Sequence, residues 1–276
     1  MNTDSYPPPV DKLLTYGPCD DIITYKEWPD YLELGFGPEH IPDLIRLATD
    51  SRFGTSNSSD PTFCAPVHAW RTLGQLHAKA AIEPLISMAE DPEYGDIASD
   101  ELPDVYGLIG VAAIPTLTAF MGTQSHTVSA QIDAIACIES IAEMHPDAKE
   151  ECVHIITHQL ELFAENDPEV NAFLILALKN FKALEALPLI KQAFDADRIA
   201  QFVVGTWDDV QVAFGVKERT EVLQRGSSLD ALFGEGAQSM QEAAEPSKKL
   251  RSHSSSPKKN KNKMAKQSRK KNRRRK

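Results

Sequence analysis

His68-Ala69-Trp70-Arg71-Thr72-Leu73-Gly74-Gln75-Leu76, followed a few residues on by Ala80-Ala81-Ile82-Glu83-Pro84-Leu85-Ile86, decides the fold. The first stretch is apolar-periodic and ends at Gly74, a residue suited to a helix C-terminus that needs φ > 0. The second carries Pro84 near its start. Proline is tolerated in a first helical turn, whose N–H groups lack intrahelical partners, so Pro84 marks a beginning and not a break. The two stretches read as helix, short turn, helix.

The same text recurs on either side. Pro42, Pro84, Pro115, Pro146 and Pro188 all sit near helix starts, in contexts such as Ala113-Ile114-Pro115-Thr116-Leu117 and Ala186-Leu187-Pro188-Leu189-Ile190. Gly35, Gly110 and Asn180 close the preceding stretches, as Gly74 does. Ala134, Ile135, Ile138, Ile141 and Ala142 form one apolar helix face, with Asp133, Ser140 and Glu143 opposite. Alternating strand patterns and Asn-Gly or Asp-Gly turns are missing. The spacing predicts pairs at 28–35 with 38–49, 61–74 with 78–90, 101–109 with 112–121, 127–144 with 146–164, and 168–179 with 183–195. A period of this size means a solenoid. Thr206-Trp207-Asp208-Asp209-Val210 reads as a further capped helix that would cover the last repeat.

The stretch from His68 to Asp91 resembles the short HEAT repeat of the phycobilisome-lyase-like type, in which one helix ends Leu-Gly and the next opens Ala-Val/Ile-x-Pro-Leu. Gly110 to Leu117 is similar to a second copy and Leu184 to Ile190 to part of a third. Gly205 to Val212 is similar to a segment of bacterial HEAT proteins. The resemblance implies an all-α, right-handed α-solenoid of about five HEAT-like pairs. It implies no catalytic residue, because the repeat motif is structural. Members include non-catalytic scaffolds and subunits of bilin lyases. The expectation is therefore a protein-binding scaffold whose groove is lined by the second helices, at Arg46, Lys79, Glu83, His154, His158 and Lys191. The alternative is a bilin lyase-like enzyme subunit or chromophore-handling chaperone.

Charge divides the chain. Of 29 Lys and Arg, 15 fall in residues 247–276, which hold none of the 40 Asp and Glu. The tail is thus +15 and the preceding body −26. With almost no bulky apolar residue, the tail is expected to be disordered and to anchor to RNA or another polyanion. The residues concerned are Lys258, Lys259, Lys261, Lys263, Lys266, Arg269, Lys270, Lys271, Arg273, Arg274, Arg275 and Lys276. Lacking aromatics, the tail offers no base stacking. An anionic membrane surface, nuclear import and attraction to the acidic body are competing uses. Residues 1–19 read as an N-terminal extension, 20–215 as the solenoid with its cap, and 216–246 as a linker with one short helix at Leu229 to Phe233.

Other chemistry is thinly represented. The longest apolar run, Ala172 to Leu178, is far short of a membrane helix, so no integral membrane segment is expected. The amino terminus lacks a basic start and an apolar h-region, so no secretory signal is expected. Cys19, Cys64, Cys137 and Cys152 show no metal spacing and read as reduced thiols in a cytoplasmic protein. His154 and His158 share a helix face, but His-Ile-Ile-Thr-His lacks the glutamate of a zinc protease. The acidic run Glu90, Asp91, Glu93, Asp96, Asp100, Glu101 and Asp104 is expected to flank a helix start, with Asp100 and Glu101 favoured by the helix dipole. No cofactor is expected.

Overall fold

A computed structural model describes residues 6–19, 24–53, 62–92 and 94–218. Among them the regular structure is all helical, with no strand. The chain divides into two units, Met1–Ala200 and Gln201–Lys276.

In the first unit α1 (Ile41–Ala48) precedes four helix pairs. These are α2 (Ala65–Gln75) with α3 (Ile82–Ile86), α4 (Gly95–Ile109) with α5 (Ile114–Gly122), α6 (Val128–Met144) with α7 (Lys149–Glu161), and α8 (Pro168–Phe181) with α9 (Leu187–Asp195). Each second helix is entered through a three-residue 3-10 turn: Lys79–Ala81, Val111–Ala113, Pro146–Ala148 and Leu184–Ala186. The last residue of every such turn is a buried alanine. A larger side chain has no room there, and this repeated alanine sets the entry of each second helix. Pro42, Pro115 and Pro188 occupy the first turn of α1, α5 and α9. Thr127 and Asp167 cap α6 and α8 by accepting from Ala130 N–H and Glu169 N–H.

The first helices pack in succession: α2 on α4, α4 on α6, α6 on α8. Each is buried almost all round, and α1, α5 and α7 lie against α2, α6 and α8. Between Ile97–Ile109 and Val111–Gly122 the chain turns by 112° at Gly110, whose φ is +86°. No single helix among the described residues is long and apolar enough to cross a membrane.

Several expectations are corrected. Residues 28–35 do not form a helix. Asp30 caps a single 3-10 turn, Tyr31–Leu34, which Gly35 ends at φ +91°. Gly74 does not adopt positive φ; His77 does, at +49°. Gly74 is instead a point of close approach, where a Cβ would lie 3.4 Å from Val105 Cα and 3.3 Å from Leu108 Cδ1 on α4. Asn180 is likewise helical, and Lys182 takes the left-handed conformation. Asp133 and Ser140 are not on a solvated face; both are buried at contacts with neighbouring first helices. Cys19 and Cys64 are not free thiols but a disulfide, with Cα atoms 5.5 Å apart. Cys137 and Cys152 are free and buried. Residues 6–15, read as part of an extension, bury Tyr6, Val10, Leu13 and Leu14, and the turn Val10–Thr15 packs on α2.

The described part of the second unit holds α10 (Gln201–Val204) and α11 (Trp207–Ala213). As expected, Thr206 caps α11. Its hydroxyl accepts from Asp209 N–H, and the Asp209 carboxylate accepts from Thr206 N–H.

Candidate functional site

Helix α2 carries a polar stripe at His68, Arg71 and Gln75, one helical turn apart, on an otherwise largely apolar surface. Helix α4 begins at Gly95, earlier than its acidic run suggested, so Glu101 lies in its second turn and not at its terminus. There it faces α2 and receives two hydrogen bonds from Arg71, Nε at 2.9 Å and Nη2 at 2.7 Å. Both side chains are buried, and the guanidinium lies 5.3 Å from the centre of the Trp28 ring. The indole Nε1 of Trp28 is buried without a partner.

Around this pair, side chains of α2 and α4 grip the backbone of an irregular segment. His68 Nε2 bonds Gly17 O at 3.0 Å. Gln75 accepts from Tyr31 N–H at 2.9 Å and donates to Pro29 O at 2.8 Å. Asp104 accepts from Tyr25 N–H at 3.1 Å. Because a carbonyl only accepts, His68 carries its proton on Nε2. Its Nδ1 then accepts from the Tyr31 hydroxyl at 2.7 Å. Burial lowers the pKa of His68 and pushes that of Tyr31 up to about 12, so the proton stays on the phenol. Burial also raises the Glu101 carboxyl, against the pull of the two bonds from Arg71. The polar atoms of this cluster bond main-chain groups of the same chain, and its acid is locked by its base.

The residues expected in a groove all lie on second helices, the turns that enter them, or α1. Arg46 pairs with Asp43 at 2.8 Å and stacks over Tyr6, 4.1 Å from the ring centre. Lys79 is exposed, and Glu83 accepts from Thr116 across to α5 at 2.9 Å. His154 and His158 are exposed neighbours with ring centres 6.4 Å apart. Lys191 pairs with Asp195 one turn on. The structure brings the two histidines together and leaves the other four on separate elements. The basic residues from Lys258 to Lys276, the helix expected at Leu229 to Phe233 and the tail itself lie outside the described residues. Among the described residues no group of three or more His, Cys, Asp and Glu could hold a metal ion.

No protein-family model, curated protein or solved structure matches the chain. The backbone-gripping cluster was not singled out by sequence. A signal existed in His68, Arg71 and Gln75, polar residues on one face of a helix otherwise rich in Ala, Val, Trp and Leu. The partners of His68 and Gln75 come from irregular chain up to 51 positions away, and that of Arg71 from α4, which the periodicity of one helix does not reach.

Proposed function

We propose that the chain is a non-catalytic scaffold, a right-handed α-solenoid of HEAT-like pairs that holds peptide segments of a protein partner in the cytoplasm. Its tail, 247–276, anchors to RNA or another polyanion. The observation that carries this reading is the grip on the main chain at Gly17, Tyr25, Pro29 and Tyr31. His68, Gln75 and Asp104 direct their polar atoms to main-chain groups, which every peptide shares. A helical array that seats its own irregular chain this way has the chemistry to seat another's. The repeated 3-10 turn with its buried alanine, and the succession of first helices, support the solenoid. On the second helices, Arg46, Lys79, Glu83, His154, His158 and Lys191 offer further polar contacts. For the tail, +15 on thirty acid-free residues is the support.

Crosslinking pull-downs test the scaffold, using intact protein and protein lacking 247–276, each with and without nuclease. The expected partner survives nuclease and tail deletion and crosslinks to α1–α9. Capture that vanishes with nuclease leaves only the tail in play and defeats the scaffold. For the tail, fluorescence anisotropy on RNA is expected to show affinity falling steeply between roughly 50 and 200 mM salt. Absence of tail-dependent binding at ~50 mM, where counterion release favours it most, defeats the anchor.

A further inference from the structure

The disulfide Cys19–Cys64 sits beside the main-chain contact at Gly17. Gly17, whose carbonyl accepts from His68, is two residues before Cys19. Cys64 is the N-cap of α2, and its carbonyl accepts from His68 N–H at 3.0 Å. One residue of α2 thus meets the looping segment on its side chain and the cross-linked cysteine on its backbone. Tyr16 lies edge-on to His68, with ring centres 5.0 Å apart, and closes the same corner. Both bonded cysteines are partly exposed, whereas Cys137 and Cys152 are buried, and burial pushes the Cys152 thiol up to about 11. Thiol chemistry on this chain is therefore confined to one pair.

The two sulfurs are not equivalent. Cys64 Sγ lies at the start of an eleven-residue helix, where the dipole favours an anion. It also accepts from Cys19 N–H at 2.9 Å. Both features stabilise a thiolate at Cys64, and neither acts at Cys19. In thiol–disulfide exchange the bond breaks toward the sulfur that better carries the charge.

We propose that Cys19 and Cys64 form a thiol-exchange site that takes electrons from a dithiol reductant and, on opening, releases residues 16–19 from α2. The reductant's thiolate attacks Cys19 Sγ, and the S–S electron pair leaves on Cys64 Sγ. The product is a mixed disulfide at Cys19 and a thiolate at Cys64. The reductant's second thiol then attacks its own sulfur in the mixed disulfide, freeing Cys19 as a thiolate and closing the oxidised reductant. Two electrons pass to the protein, and the thiolates take up protons from solvent according to their pKa values. Residues 16–19 then lose their covalent tie to α2 and keep only non-covalent contacts: the Gly17 carbonyl accepting from His68, the Cys19 N–H donating to Cys64 Sγ, and the Tyr16 ring contacts. In the reverse reaction the Cys19 thiolate attacks the oxidised reductant, and the Cys64 thiolate then attacks Cys19 Sγ in the mixed disulfide, expelling the reductant's thiolate and restoring the bond. The inference does not depend on a partner or on the tail.

The test uses the full-length chain in buffers of graded reduced and oxidised dithiothreitol, with native alkylation, mass spectrometry and amide hydrogen exchange. Under reducing conditions Cys19 and Cys64 are expected to alkylate, while Cys137 and Cys152 stay protected. At partial reduction the monothiol glutathione is substituted, so that the first adduct can be trapped. That adduct is expected on Cys19, with Cys64 free. Opening is expected to speed exchange at the Cys19 amide by about tenfold or more, and to leave α6 and α8 unchanged. Cys19→Ser is expected to show the open pattern even in oxidising buffer; if that variant does not fold, reduction of the parent chain reads the same change. Three results overturn the proposal. The bond persists in excess dithiothreitol, or it never forms in oxidising buffer, or it opens with no change in exchange. An adduct on Cys64 overturns the assigned direction of attack.

Discussion

Arg71 is a cation held 1% exposed, and its two hydrogen bonds to the Glu101 carboxylate supply the opposing charge that offsets this burial. Removing one partner leaves the other charge buried and alone. Arg71→Met is therefore expected to cost about 3–5 kcal/mol in chemical denaturation. Arg71→Met with Glu101→Leu is expected to recover most of that, because two apolar side chains need no compensating charge. A double variant as unstable as the single one would show that Arg71 acts through its packing on Trp28. His68 makes a pH prediction. Its folded pKa lies below the unfolded value of 6.5, so the unfolded state binds the proton first as pH falls. The stabilisation is complete above 6.5 and is lost as pH falls from there toward the lower folded value. Wild-type denaturation midpoints are expected to drop between about pH 7 and 5 more than those of His68→Gln, whose side chain does not titrate. Parallel curves for the two proteins would show that His68 is not buried neutral.

At the scale of elements, the 3-10 turns that open the second helices hold the geometry. Ala113 is fully buried at the end of one turn, and Ala112 beside it is exposed. Ala113→Leu is expected to cost about 1–3 kcal/mol by overpacking, and Ala112→Leu to change stability by less than about 0.5 kcal/mol. Equal effects in thermal melts would mean that the turn's register is misassigned. These helix starts were legible in the sequence because their determinants are local: a proline in the first turn of α3, α5 and α9 with an alanine two or three residues before it, and Pro146 in the turn that enters α7. The segment 28–35 was misread because its apolar residues resemble a short helix, whereas Asp30 and Gly35 limit it to one turn. Gly74 was taken for a terminator because glycine serves both for positive φ and for contact, and only the neighbouring α4 distinguishes the two. The disulfide was missed because spacing carries no connectivity. The grip on Gly17, Tyr25 and Tyr31 was hidden for the same reason: its hydrogen bonds join positions far apart in the chain.

At the scale of the whole molecule, deleting 247–276 is expected to leave far-UV helicity and the melting temperature nearly unchanged, since those residues offer little apolar surface to bury. A large loss would mean that the tail contributes to the folded body. A longer-range consequence follows from the contacts between first helices. Arg71 meets Glu101 between α2 and α4, Ser99 donates to Asp133 between α4 and α6, and Asn180 donates to Glu139 between α6 and α8. No two of these pairings are the same. A tandem copy of 95–122 inserted after residue 122 would set the first copy's Ser99 against the second copy's Glu101, with no guanidinium to meet it. That insertion is expected to lower stability by several kcal/mol, about 3–5, read as a lower denaturation midpoint. A duplicated chain as stable as its parent would show that the pairings are interchangeable. Arrays of identical modules can lengthen by copying. Here each polar pairing fits one junction only, so growth by duplication requires simultaneous change on both sides of the new junction, and the order of the first helices is protected against reshuffling.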